Sequence, residues 1–379
     1  MMDFLFLLLL FLYTRMFFFY TKSWKEIKLP SEKNNLDYIS VIVACRNEEK
    51  NISNLIEDVK SQCFDENRFE MIVVNDHSED GTLKILNYKS EKWNNLRIIN
   101  LDNKIFGKKN AIKEAAKIAK GEIIICTDAD CRVGENWIQT MSDYFTNTDC
   151  KFVSASIFYK EKNSLFSKYQ MLEILSLVST SGAAINRKRA TICNGANLAF
   201  RKKEYLEIPD DEFNNFRTDD VSLLHYFKKN FTNSISFSKQ KEAIVSTSES
   251  PNFLSYLSQK LRWISNSKSL KDTDTILVSL LVYFMNFFMI LTIFLFLYFF
   301  PKNGYGDYSE IVVIFSFLLL IYLTKFISDY LFLKSVLSFF DKRNLLIYLF
   351  PFTLINAVFT VVIVPLSFII PVKWKGRKT

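Results

Sequence analysis

Two aspartates separated by one residue, Asp128 and Asp130, close the apolar run of GEIIICTDADC (121–131). Side chains alternate faces along an extended strand, so both carboxylates point the same way where the strand leaves its sheet. Such a pair suits a hard divalent cation, Mg2+ or Mn2+, which takes oxygen ligands and shares them with phosphate. The pattern suggests a nucleotide diphosphate as ligand; a solvated loop after a buried strand is the plain alternative. Gly107-Lys108-Lys109 opens a helix, and lysines at a helix N-terminus suit a phosphate as well as they suit a surface loop. Other chemistries are excluded. The turn after the first strand reads CRNEEKN, without the G-x-G-x-x-G of dinucleotide oxidoreductases, and no G-x-x-x-x-G-K-[ST] is present. The two histidines, His77 and His225, form no ligand set. Six cysteines without a C-x-x-C pair read as small core residues in a reducing compartment.

The elements that must position these residues alternate from Asp37 onward. Strand-like DYISVIVACR, an amphipathic 47–62, RFEMIVVND, a helix near 80–90, LRIINL and a helix over 108–119 lead into the D-x-D strand. Continuous apolar strands alternating with helices predict an α/β fold with a mostly parallel sheet covered on both faces. Ligands of such sheets bind outside the carboxyl ends of the strands. Three strands end there in polar residues: Arg46-Asn47-Glu48, Asn75-Asp76 and Asp128 with Asp130.

Outside this middle region the chain is apolar. Residues 3–13 and 16–20 form a first span, and 276–300 and 309–324 are each long enough to cross a hydrocarbon core of ~30 Å. The first span lacks a basic n-region and a small-x-small cleavage site, so it reads as a retained anchor. Lys22, Lys25 and Lys28 follow it and predict that residues 22–270 face the cytoplasm. The net charge of +8 is concentrated beside the spans, which favours anionic membrane lipids as partners over nucleic acid. The third span reads as extending to near 328, with Lys325 and Asp329 spaced for an i,i+4 pair at its end, and the stretch on to Phe340 reads as an amphipathic interfacial helix. The last apolar run, 345–372, is interrupted by Pro351, Pro365 and Pro371 and predicts either one crossing or a hairpin. The expected organisation is an anchor (1–21), an α/β domain (22–270), a membrane region of two to three spans (271–372) and a basic tail (373–379).

Six segments carry a family resemblance: VIVACRNEEKNI, VVNDHSEDGT, GKKNAIKEAAKIAKGEIIICTDADC, CNGANLAFRKK, RTDD and QKLRW. Their order resembles family 2 glycosyltransferases, in particular the membrane-integrated branch with hyaluronan, cellulose and poly-N-acetylglucosamine synthases and ceramide glucosyltransferases. The resemblance implies a nucleotide-sugar-binding GT-A fold. It also implies that Ala44, Arg46 and Glu48 border the nucleoside and that Asp76 accepts a hydrogen bond from the base, usually uracil; an Asx turn is the alternative for Asp76. Lys108, Asp128 and Asp130 would then face the diphosphate and its metal. Gly195 and Asn197 resemble the G-x-N element beside the acceptor. Asp220 would be the general base, with Asp219 as cap or supporting partner, although an aspartate before an apolar run is also a helix N-cap. Gln259, Arg262 and Trp263 match Q-x-x-R-W and share one helix face. Arg can fork onto diphosphate and Trp can stack on a sugar, while an interfacial helix would look the same. The expected activity is inverting transfer of a sugar from a nucleotide diphosphate, a UDP-sugar by resemblance, to a lipid or lipid-linked glycan acceptor. The few spans favour that acceptor over processive polysaccharide synthesis; a non-catalytic nucleotide-sugar sensor is the remoter alternative.

Overall fold

The computed structural model describes residues 2–30, 37–160, 162–216, 218–267, 271–300, 309–370, 373–374 and 377–378. The chain divides into two units. One holds residues 26–162 and 173–249; the other holds 1–25, 163–172 and 250–379.

In the first unit the strands are β1 (Ile39–Cys45), β2 (Phe69–Asn75), β3 (Leu96–Asn100), β4 (Ile123–Asp128), β5 (Phe152–Ala155), β6 (Ile157–Tyr159), β7 (Leu198–Arg201), β8 (Ile235–Ser238) and β9 (Val245–Thr247). A seven-stranded sheet runs β3-β2-β1-β4-β7-β5-β8, and β6 pairs with β9 apart from it. The first four strands are mutually parallel, while β7 runs antiparallel to both β4 and β5. Strands β1 and β2 are almost fully buried, as expected where helices cover both faces. Register aligns the strand ends: Ala44 lies opposite both Val74 and Asp128, and Cys45 opposite Asn75. The polar turns after β1, β2 and β4 therefore share one edge.

A buried network at the opposite edge holds that register. Ser40 Oγ donates to Glu70 Oε1 (2.8 Å), and Glu70 also receives the Lys120 N–H (2.6 Å) and Arg97 Nη1 (3.1 Å). The Gly121 N–H donates to Ser40 Oγ (2.9 Å), which ties β1 to the start of β4. A Cβ on Gly121 would lie 2.4 Å from Ser40 N and 2.7 Å from Ile39 C. Backbone cannot yield cheaply, so Gly121→Ala is expected to cost about 2 kcal/mol or more, within the usual range for overpacking. A melting temperature equal to that of the parent in the same detergent would refute this account of the strand contact.

The helices, in order, are α1 (Met2–Lys25), α2 (Ile52–Lys60), α3 (Thr82–Ser90), α4 (Lys108–Ile118), α5 (Trp137–Ser142), α6 (Leu165–Asn186), α7 (Lys202–Leu206), α8 (Asp210–Asn215), α9 (Val221–Asn230), α10 (Phe253–Ser267), α11 (Thr273–Phe299), α12 (Ser309–Phe339) and α13 (Leu349–Ile369). Among the described residues, four helical stretches are long and apolar enough to cross a membrane: Phe4–Lys25, Thr273–Phe299, Ile311–Phe339 and Arg343–Ile369.

Helix α12 runs unbroken to Phe339, where the sequence reading ends the span near 328 and expects a separate interfacial helix. The physical reason lies in the charges that marked that end. Lys325 Nζ pairs with Asp329 Oδ2 (2.7 Å) and donates to Tyr13 Oη (3.0 Å), and Tyr13 donates to Asp329 Oδ1 (2.6 Å). Polar groups within a span are tolerated when they satisfy one another inside the bundle. Phe17 packs against Phe332 on the same helix pair. The last run likewise forms one helix, Leu349–Ile369, across Pro365, without a hairpin turn within it. Helix α10 groups with the membrane helices: Leu257, Leu261 and Ile264 pack with Phe359, Ile363 and Val364 of α13. The sequence reading assigns this stretch to the α/β domain.

Candidate functional site

Asp128 ends β4, and Asp130 follows in the turn after it. Together with Cys131 they offer three ligand atoms within 4.8 Å of one another. Burial, then the charges of Asp128 and Asp130, pushes the Cys131 thiol pKa up, and the hard donors of the set are the two carboxylates. That oxygen set fits Mg2+ or Mn2+ better than a soft metal. Asp128 and Asp130 would hold the ion, and it would supply positive charge to a bound diphosphate.

The Gly107-Lys108 turn lies beside this pair, and its geometry differs from an open phosphate-facing lysine. Lys108 Nζ reaches Asp128 Oδ1 at 2.7 Å, Asp219 Oδ2 at 2.9 Å and the Gly195 carbonyl at 3.0 Å. The ammonium thus donates to one carbonyl and is ion-paired with two carboxylates. Burial works against the charge, but Asp128 and Asp219 outweigh it and hold the Lys108 pKa well above the ordinary lysine value.

Asp220 sits on the far side of the Gly195 turn. Its Oδ1 accepts from the Val221 N–H (2.6 Å), capping α9, and its Oδ2 accepts from the Gly195 N–H (3.1 Å). The cap of α9 is thus Asp220 itself, while Asp219 faces Lys108. Burial and then neighbouring Asp219 raise the Asp220 pKa above the usual carboxylate value. Gly195 is the hub: a Cβ there would meet Lys108 Nζ at 2.9 Å, Asp219 Oδ2 at 3.0 Å and Asp220 Oδ2 at 3.2 Å. A side chain would wedge apart all three charged groups.

Asn197, read from sequence as an acceptor-side amide, is placed elsewhere. It is fully buried, its Nδ2 donates to the carbonyls of Ser156 and Ala243 (both 2.7 Å), and its Oδ1 accepts from Trp137 Nε1 (3.0 Å). The amide is consumed in fixing the turn before β7, so Asn197 supports the site from within the core and does not face an acceptor.

The β1 and β2 turns interlock at the same edge. Arg46 Nη1 donates to the Asp76 carbonyl (3.2 Å) and Nη2 to Glu79 Oε1 (3.3 Å). The Glu48 N–H donates to Thr82 Oγ1 (2.8 Å), and Glu48 Oε2 accepts from Asn51 Nδ2 (2.8 Å). Asn47 and His77 adopt left-handed backbone, with φ of 53° and 56°. Strain of this kind concentrates at functional edges. Buried Asp76 accepts from the Gly107 N–H through Oδ2 (3.1 Å), which links it to the Lys108 turn. Ala44 lies in β1 between these turns and the core. His77 and His225 pair with the Ile105 and Thr191 carbonyls, in keeping with structural roles.

The structure therefore brings Lys108, Asp128, Gly195, Asp219 and Asp220 together and sets Asp76 and Asp130 on the same framework. Gln259, Arg262 and Trp263 lie on α10 of the other unit, where Gln259 Oε1 accepts from Ser250 Oγ (3.2 Å) and Lys260 stands over the Trp263 ring at 4.2 Å. Two features escaped the sequence reading: the Lys108–Asp219 bridge, which joins segments far apart in the chain, and Cys131 as a neighbour of the acidic pair. The only available signal for Cys131 was its position next to Asp130.

Residues 40–208 match the family described as Glycosyl transferase family 2. Among curated relatives, the poly-β-1,6-N-acetyl-D-glucosamine synthase of Staphylococcus epidermidis is 29% identical over 165 residues, covering 43% of this chain and 39% of that one. Glycosyltransferase AglE of Haloferax volcanii is 26% identical over 151 residues, covering 38% and 49%. The chain spans less than half the length of each. Among solved structures, the mannosyltransferase PcManGT from Pyrobaculum calidifontis, in complex with GDP-Man and Mn2+, is similar over 95% of both chains with a TM-score of 0.57 and 14% identity. This likeness shows the fold: a mixed α/β, GT-A-like sheet, accompanied here by apolar helices at the N-terminus and in the C-terminal region.

Proposed function

We propose that the chain is an integral membrane glycosyltransferase that moves a sugar, with inversion, from a nucleotide diphosphate to a growing polysaccharide. The transfer chemistry is supported by one observation above all: Lys108 and Gly195 join the D-x-D strand end to the Asp219–Asp220 pair. The polymer acceptor is supported by the names of the S. epidermidis relatives, and it displaces the lipid acceptor preferred on sequence. The lipid or lipid-linked glycan remains the second reading, supported by the small number of membrane-length helices.

In this reading Asp76, with the backbone near Ala44, Arg46 and Glu48, receives the nucleoside, and Asp128 and Asp130 face the diphosphate. Those two carboxylates would hold a Mg2+ or Mn2+, which would supply positive charge to the leaving diphosphate. Asp220 takes the proton of the acceptor hydroxyl as that oxygen attacks the anomeric carbon. Asp219 keeps Lys108 in place. By the Q-x-x-R-W resemblance, Arg262 offers a fork that suits a diphosphate and Trp263 a ring that suits a sugar.

Lys22 and Lys25 in the last turn of α1, with Lys28 just beyond it, support a cytoplasmic catalytic domain, the side on which basic residues flank a span. One experiment tests side and product together. Inside-out membrane vesicles bearing the protein are expected to turn over externally added labelled nucleotide sugars without detergent, with N-acetylglucosamine first on the panel, and to yield a ladder of lengthening product. A single labelled lipid would select the second reading. Turnover only in sealed right-side-out vesicles would overturn the orientation, and no turnover of any donor would overturn the enzyme.

A further inference from the structure

The positive charge of Lys108 is already committed before any donor arrives. Its ammonium is shared among Asp128, Asp219 and the Gly195 carbonyl at 2.7, 2.9 and 3.0 Å. The Asp128 oxygen it uses belongs to one of the two carboxylates that suit a divalent cation. Both contenders need the same lone pairs, and like charges a few ångströms apart in a partly buried site repel strongly. Four carboxylates, Asp128, Asp130, Asp219 and Asp220, stand on the two segments that this lysine connects. Without an internal cation, such a set would attract free metal whether or not a nucleotide was present.

Resting on the reading of Asp128 and Asp130 as the metal and diphosphate site, we propose that Lys108 makes cation binding conditional on the nucleotide diphosphate. Without the donor, the ammonium neutralises Asp128 and disfavours free metal. When metal and diphosphate enter together, phosphate oxygens replace Asp128 as a partner of the ammonium. Lys108 retains Asp219 and the Gly195 carbonyl throughout, which is why the loss of one of three acceptors does not release it. No covalent bond changes in this exchange. The surrounding geometry is built for it: Gly195 leaves the space in which the ammonium sits, and Asp219, on a segment distant in the chain, also pairs with the lysine.

This makes Lys108 a positioning residue with an unusual signature, because its removal is expected to strengthen one kind of binding while weakening another. The test is titration of the full-length protein in detergent with Mn2+ alone, followed by calorimetry or electron paramagnetic resonance, and then with Mn2+ plus UDP or GDP. Lys108→Met is expected to bind free Mn2+ at least about tenfold more tightly than the parent, and Mn2+ with nucleoside diphosphate at least about tenfold more weakly. Lys108→Gln, which keeps donors for Asp219 and Gly195 but not the charge, is expected to shift both affinities in the same directions and serves if the Met variant melts early. Lys113→Met removes the same charge from the same helix at a residue that pairs with Asp210, and should change neither affinity. If free Mn2+ binds the folded Lys108 variants no more tightly than the parent, the inference is overturned while the glycosyltransferase reading stands. If the parent binds no nucleoside diphosphate with Mn2+, that reading falls and takes the inference with it.

Discussion

Asp220→Asn is expected to lower kcat by roughly 10²–10⁴-fold while leaving donor affinity near that of the parent, the range and pattern of a lost general base. The asymmetry follows from where Asp220 acts. Its carboxylate lies behind the Gly195 turn, apart from the metal pair, and its service as proton acceptor is realised only as the acceptor hydroxyl attacks. The amide keeps one oxygen, which can serve the Val221 N–H and preserve the cap of α9, while the Gly195 N–H loses its acceptor. That loss is opposed at neutral pH by a gain from removing the charge. The folded pKa of Asp220 is raised by burial and by Asp219, so its ionised form costs stability above the unfolded carboxylate pKa, and the amide removes that cost.

The same shift sets a pH dependence. The base works when deprotonated, so turnover at saturating donor is expected to rise with pH through an apparent pKa above the ~3.9 of an ordinary aspartate. Asp220→Asn should abolish this acidic limb along with the rate. Near-parental turnover in a well-folded Asn variant would leave Asp220 as a helix cap alone, and Asp219 would become the candidate base.

Sequence order made the framework of this site legible because strand ends are local. Apolar runs that stop at Arg46, Asp76 and Asp128 mark where β1, β2 and β4 leave the sheet, and parallel register then aligns them without further information. Side-chain destinations are not local in that way. Lys108 looked like a phosphate-binding lysine because its position at a helix start says nothing about two carboxylates reached across the fold. Asn197 looked like a site amide because its pattern matches a turn beside an acceptor. Whether an amide faces a pocket or the core depends on what lies behind the turn, and here Trp137 and two carbonyls do. The length of α12 was misjudged for a related reason. Lys325 and Asp329 read as the end of a span, but Tyr13 of α1 completes a buried polar cluster that allows the helix to continue.

Asp130→Asn carries the second large effect and isolates the metal pair most cleanly. Asp128 has two duties, as a metal ligand and as a partner of Lys108, so its replacement would disturb both. Lys108 reaches Asp128, Asp219 and the Gly195 carbonyl, so a change at 130 keeps these three partners of the lysine in the chain. An amide keeps the shape and one oxygen but removes the negative charge that balances a dication. Even supporting residues around a metal change affinity by about 10–100-fold, so loss of a direct carboxylate is expected to weaken Mn2+-dependent donor binding by roughly 100-fold or more. The metal requirement for turnover should rise by a similar factor, and excess Mn2+ should partly restore the rate. That rescue separates Asp130 from Asp220, whose Asn variant no amount of metal should recover. If Asp130→Asn shows parental metal dependence, the D-x-D segment is a solvated loop after a buried strand, and the diphosphate must be held by other residues.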